Sequence, residues 1–156
     1  AFFLAVLERE DIKSGIKSFL NKKGLPRGIT NNNPSNIRIS NNLWMGKIPI
    51  DDNTDGQFEQ FEEYKFGVRA LIKILLNYKK NGFDTIRKII SKYAPGNENP
   101  TDAYIKNIVN VTGFGIDDKL KLDKEQLSVL VPAIARFENG QHAISDQDFD
   151  EGFELV

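Results

Sequence analysis

At 156 residues, 40% hydrophobic and 28% charged, the chain has the size of one globular domain with a real core, and this composition excludes intrinsic disorder. A net charge of -1, no cysteine and a single histidine, His142, exclude a global basic field for nucleic acid, disulfides, thiol chemistry and multi-histidine metal sites. No run is long and apolar enough to span a bilayer, so membrane insertion is not expected.

Residues 2–22 read as a helix, with Phe3, Val6, Leu7, Ile12, Ile16, Phe19 and Leu20 as a rough apolar stripe. The apolar start at 2–7 is too short for a signal h-region and lacks a basic flank. Lys22-Lys23-Gly24 and Pro26 end this helix. Lys13, Lys17, Lys22, Lys23 and Arg27 make it the most basic segment, as a solvated helix face would be. Residues 27–42 follow with six asparagines, Gly28 and Pro34. Such a stretch forms an ordered turn, not a strand. Side-chain amides donate and accept together, which suits sugar hydroxyls and acetamido groups. A plain loop is the alternative.

Residues 37–61 read as a small β region. Ile37-Arg38-Ile39 alternates, Asp55-Gly56 is a hairpin signal, and 57–61 alternates again around Phe58 and Phe61. Trp44, beside the asparagine-rich turn, fits either a sugar-stacking surface or the core. Asp51, Asp52 and Asp55 lack the twelfth-position Glu of an EF-hand loop, so no metal is expected there.

Four helices then follow by pattern, over 63–80, 85–93, 100 to about Gly113, and 123–137. The fourth has Asp123 as N-cap and Gln126 at the capping-box position. Leu127, Leu130, Val131 and Ile134 make its apolar stripe, although Pro132 predicts a kink or a restart. At about 100° per residue Glu138 falls within that stripe, just before an Asn139-Gly140 stop. Desolvation and the negative helix end both push such a carboxyl's pKa up. A carboxyl protonated near neutral pH is what a general acid needs. The alternative is a last-turn Glu that swings out to solvent. His142 reads as a solvent-facing loop residue. The tail, 141–156, is acidic, with Phe149 and Phe153 able to dock.

The run from Arg27 to Arg38, Arg-Gly-Ile-Thr-Asn-Asn-Asn-Pro-Ser-Asn-Ile-Arg, resembles the RGIRNNNPGNIR opening of a family of phage and prophage virion proteins. Trp44-x-Gly46, the Asp-Gly-x-Phe-x-x-Phe block at 55–61, and Tyr64-x-x-Gly67-x-Arg69-Ala70 follow in that family's order. So do Tyr93-Ala94-Pro95, Asn97-Glu98-Asn99 and Tyr104-Ile105. Phe137-Glu138-Asn139-Gly140 with Ser145-Asp146 resembles its HENG…SD ending. Ser35 departs from the family's Gly and Phe137 from its His. The resemblance covers about 27–152. A wider one also holds. The segment 133–140 is similar to the Ala-x-Ile-x-x-Glu-Ser-Gly helix end of goose-type lysozymes, lytic transglycosylases and bacterial glucosaminidases, where the Glu is the catalytic acid. There the Glu segment comes first in the chain, and here it comes last.

These resemblances imply an α+β, mainly helical, lysozyme-like fold with a small β-hairpin lobe and circular permutation. The implied organisation is an N-terminal helix, 1–26, and a catalytic domain, 27–156, in one globular unit. The implied activity is cleavage of the glycan backbone of peptidoglycan between N-acetylmuramic acid and N-acetylglucosamine. Glu138 is the implied acid. Asn33, Asn36, Arg38, Gln57, Tyr93 and Tyr104 are the implied substrate contacts. A two-carboxylate hydrolase needs a second acid, for which Asp51, Asp52, Asp55 and Glu59 are the candidates. A lytic transglycosylase needs none. The alternatives are an N-acetylglucosaminidase and a non-catalytic cell-wall-binding or virion module. No cofactor is expected. The expected partners are glycan strands and other virion or tail proteins. The expected location is the phage virion or the host periplasm and cell wall, with a secreted bacterial protein as the alternative.

Overall fold

The computed structural model of the protein describes residues 24–95 and 101–156. The expected helix at 2–22 and the Asn97-Glu98-Asn99 segment lie outside them. Six α-helices make up most of the regular structure of the described residues: α1 (Arg27–Thr30), α2 (Tyr64–Lys80), α3 (Ile86–Tyr93), α4 (Thr101–Thr112), α5 (Lys124–Asn139) and α6 (Asp146–Glu154). The mainly helical expectation holds.

Each long helix forms where an apolar stripe has somewhere to go. Val68, Leu71, Ile72 and Leu75 of α2 are buried at helical spacing. Ile86, Ile89 and Ile90 of α3 do the same, behind a Thr85 N-cap that accepts from the Lys88 N–H at 3.2 Å. Tyr104, Ile105 and Ile108 of α4, with Leu127, Leu130, Val131 and Ile134 of α5, complete one core. Burying each large aliphatic side chain contributes about 1.5–3 kcal/mol. α6 lies along α2, while α4 packs on both α3 and α5.

Three local expectations change. The helix α5 runs unbroken through Pro132. Asp123 caps it, but Gln126 closes no box. Its Oε1 reaches past the cap and accepts from the Lys121 and Leu122 N–H groups at 2.8 and 2.9 Å. These bonds hold Leu122 at a positive φ of 50°. The acidic tail is itself a helix, α6, behind a complete Ser145–Asp148 capping box, and Phe149 docks in the core.

The expected β-hairpin is not formed as such. Residues 37–61 hold two isolated antiparallel bridges, Arg38 with Phe58 and Lys47 with Phe61, and a 3-10 turn, Ile50–Asp52. The stretch after Asp55-Gly56 therefore pairs on two sides, residues 57–59 with 37–39 and residues 60–62 with 46–48, the segment before the turn. Side chains have taken over the turn's backbone. Asn53 Oδ1 accepts from the Asp55 and Gly56 N–H groups, and Asp55 Oδ1 from those of Gln57 and Phe58. Phe58 and Phe61 part company, three residues apart on an extended chain. Phe61 is fully buried against Ile37 and Ala70, while Phe58 is only half-buried.

Asp55 is the hub of this segment. Arg27 reaches it with two hydrogen bonds, at 2.6 and 2.7 Å, and Asn31 adds one at 2.9 Å. Burial alone would raise its pKa. The bonds from Arg27, Asn31 and two backbone N–H groups outweigh burial and hold the carboxyl well below the usual carboxylate range. A depressed folded-state value contributes stability that is complete above the unfolded value of about 3.9 and is lost as pH falls through the folded one. Asp55→Asn is therefore expected to cost about 1–3 kcal/mol at pH 7. It should also flatten the loss of stability below pH 4. Urea midpoints of parent and variant from pH 7 to 2 check both. Parallel curves would contradict this assignment.

Candidate active site

The site is built where α5 ends. Glu138 stands one turn after the fully buried Ile134 and is half-buried. The helix stops as expected, with Gly140 left-handed at φ 68° and its N–H on Arg136 O at 2.8 Å. Asn139 then ties this end to the asparagine-rich turn. Its Nδ2 donates to Ala135 O within the helix and to Pro34 O in the turn, both at 2.7 Å. Gly28 of α1 fits closely against the junction. A Cβ there would lie 2.5 Å from Asn139 Oδ1 and 2.8 Å from Asn33 O.

The turn needs its asparagines for the backbone first. Asn32 and Asn36 both sit at φ 53°, in the left-handed region that asparagine tolerates better than most residues. Asn31 Nδ2 serves Asp55, and its Oδ1 accepts from Gln60. Asn32 Nδ2 donates to Phe61 O at 2.9 Å. Asn33, fully buried, donates to Ile37 O and Glu59 O, both at 3.0 Å, and accepts from the Ile37 N–H. Asn36 does something else: its Nδ2 donates to Glu138 Oε1 at 3.2 Å, across 102 positions of sequence.

Two tyrosines complete the surroundings. Tyr93, at the end of α3, donates its hydroxyl to Ser35 O. Tyr104, from α4, is fully buried and stacks on Phe137 with ring centroids 3.8 Å apart. Burial, and then the neighbouring Glu138 charge, push the Tyr104 phenol well above the ordinary tyrosine value. It stays a neutral proton donor within interaction range of Glu138, without a well-aligned hydrogen bond to any group.

In front of Glu138 opens a cleft of about 560 Å³ lined by Asn36, Arg38, Phe58, Tyr78, Lys92, Tyr93 and others. Arg38 is exposed, and its guanidinium lies 5.0 Å from the Phe58 ring centre.

The sequence candidates divide accordingly. Asn36, Arg38, Tyr93 and Glu138 share this cleft, and Tyr104 lies buried beside Glu138. Asn33 is a buried backbone clamp, and the exposed Gln57 lies away from the lining. None of the four candidate second carboxylates lines the cleft. Asp51 and Asp52 are exposed on the 3-10 turn, and Asp55 belongs to Arg27. Glu59 is fully buried and pairs with Lys47 at 2.9 Å. Among the described residues Glu138 is the one carboxylate in the lining. Phe58, Tyr78 and Lys92 were not among the site candidates. Tyr78 carries the same apolar signal as any core position of α2, and Lys92 reads as an ordinary exposed helix lysine.

No protein-family model matches the chain. Over 132 residues it is 36% identical to Protein P5 of Pseudoalteromonas phage PM2, and the match covers 82% of the chain and 80% of that protein. The chain belongs to the family of that phage protein.

Proposed function

We propose that this member of the phage Protein P5 family is a lytic transglycosylase acting on peptidoglycan, with Glu138 as its acid and then its base. The observation that carries it is that Glu138 is the one carboxylate in the cleft among the described residues, set at the end of a helix with a buried face and held by Asn36. Glu138 gives its proton to the glycosidic oxygen between N-acetylmuramic acid and N-acetylglucosamine, and the bond from that oxygen to the muramoyl anomeric carbon breaks. The carboxylate so formed takes the proton of the muramoyl 6-hydroxyl as that oxygen closes on the anomeric carbon. The glycan is cut, no water is consumed, and Glu138 regains its proton. The Asn36 amide and the neutral Tyr104 phenol stabilise the carboxylate between the two steps. A two-carboxylate hydrolase would need a partner about 5–9.5 Å across the cleft. Asp51, Asp52, Asp55 and Glu59 are all engaged or exposed elsewhere, which favours the single-carboxylate route.

The permuted lysozyme-like reading rests on the same junction. The helix that carries the acid is last but one among the described helices, and Asn139 and Asn36 join it to the turn near their start. A protein of this kind works at the host cell wall, carried in the virion or released to the periplasm. Purified sacculi are the test substrate. Soluble fragments should appear with the parent protein. Binding without release would make it a wall-binding virion module instead.

A further inference from the structure

Among the described residues, the lining of the cleft sets two cations, Arg38 and Lys92, beside one carboxylate, Glu138. This departs from a chain whose net charge is -1. The two come from different elements: Arg38 from the turn after α1 and Lys92 from the last turn of α3. Phe58 orders the Arg38 side of the cleft. Arg38 lies 5.0 Å and Arg27 4.5 Å from its ring centre. Arg27 is bound bidentately to Asp55, so it fixes the ring without entering the lining. The lining also includes Phe58, Ile74 and Tyr78. Low-dielectric walls concentrate the field of exposed charges that would be worth little on open surface.

We propose that Arg38 and Lys92 form an anion-reading subsite that selects glycan strands bearing carboxylates and discriminates against neutral amino-sugar polymers. This rests on the glycan-cleaving function proposed above. Two sources supply such carboxylates, the lactyl ether of a bare muramoyl residue and the stem peptide attached to it. A guanidinium and an ammonium suit either one.

The test separates binding from cleavage by using Glu138→Gln protein. Its retention is measured on three preparations: intact sacculi, sacculi stripped of stem peptides by an amidase, and sacculi whose carboxyls are capped as neutral amides. Intact sacculi should be held about tenfold or more tightly than the capped form, with a steep loss of binding on adding salt. Arg38→Gln combined with Lys92→Gln should bring that ratio close to one. Both residues are exposed, and thermal melts confirm that the variants are folded. Retention on stripped sacculi assigns the lactyl carboxylate, and loss there assigns the stem peptide. A ratio near one in Glu138→Gln alone, or a ratio the double change leaves intact, overturns the proposal. Cleavage by the parent with no charge-dependent binding would leave the transglycosylase standing and the subsite refuted. Charge-dependent binding with no cleavage would do the reverse.

Discussion

Glu138→Gln is expected to lower peptidoglycan cleavage by about 10²–10⁴-fold or more, the usual contribution of general acid catalysis, while the protein stays folded. The substitution keeps the volume and most of the helix propensity of the side chain. Gln Oε1 still accepts from Asn36 Nδ2, which now reaches Glu138 Oε1 at 3.2 Å. Glu138 is only half-buried, so a side chain of the same shape leaves the core packing in place. The amide cannot deliver a proton or take one back, so both steps fail together. Asp51→Ala and Asp52→Ala serve as contrasts, since both residues are exposed on the 3-10 turn outside the cleft. They should cleave at near-parent rate. A Glu138→Gln protein as active as the parent, beside an inactive Asp51→Ala or Asp52→Ala, would move the acid out of α5.

Gly67→Ala is expected to have the largest effect on stability. A Cβ at this position of α2 would lie 2.0 Å from Asn32 O and 3.0 Å from Pro34 Cδ. The neighbour is backbone, and it is pinned. Asn32 donates to Phe61 O, and Asn33 holds Ile37 and Glu59. The added methyl cannot be accommodated by turning a side chain, so α2 and the turn must separate. The cost should fall at the upper end of the about 1–3 kcal/mol typical of overpacking. For a chain of this size that is roughly a 5–10 °C fall in Tm. The turn also carries Asn36, so cleavage at a permissive temperature should drop as well. A melting temperature unchanged by the substitution would mean that α2 and the turn are not in this contact.

The four helices legible in the sequence, α2 to α5, are those with apolar stripes. α2 and α5 each bury side chains at i, i+3 and i+4 over three or more turns, and no other pattern explains them. α6 is short and acidic, with only Phe149 and Gly152 buried, so its apolar stripe is too thin to read. Its Ser145–Asp148 capping box was the signal that could have found it. The Asp55-Gly56 pair gave a hairpin signal, but Asn53 and Asp55 spent their side chains on the local backbone and left only isolated bridges. The asparagine run was misleading in the same way. Amides that could meet sugar hydroxyls instead satisfy buried carbonyls, and only Asn36 lines the cleft. Composition cannot tell these uses apart, since both need the same donors and acceptors. The meeting of Asn36 with Glu138 spans 102 residues, and no periodicity reports such a contact. The packing of Asn139 on the turn provides its physical basis.

The most direct measurement is mass spectrometry of the glycan ends produced from purified sacculi, run in parallel for the parent protein and Glu138→Gln. New 1,6-anhydromuramoyl ends with the parent, and none with the variant, are the predicted result. Reducing muramoyl or reducing glucosaminyl ends, which require water as the nucleophile, would contradict the single-carboxylate mechanism, and no new ends at all would contradict catalysis itself.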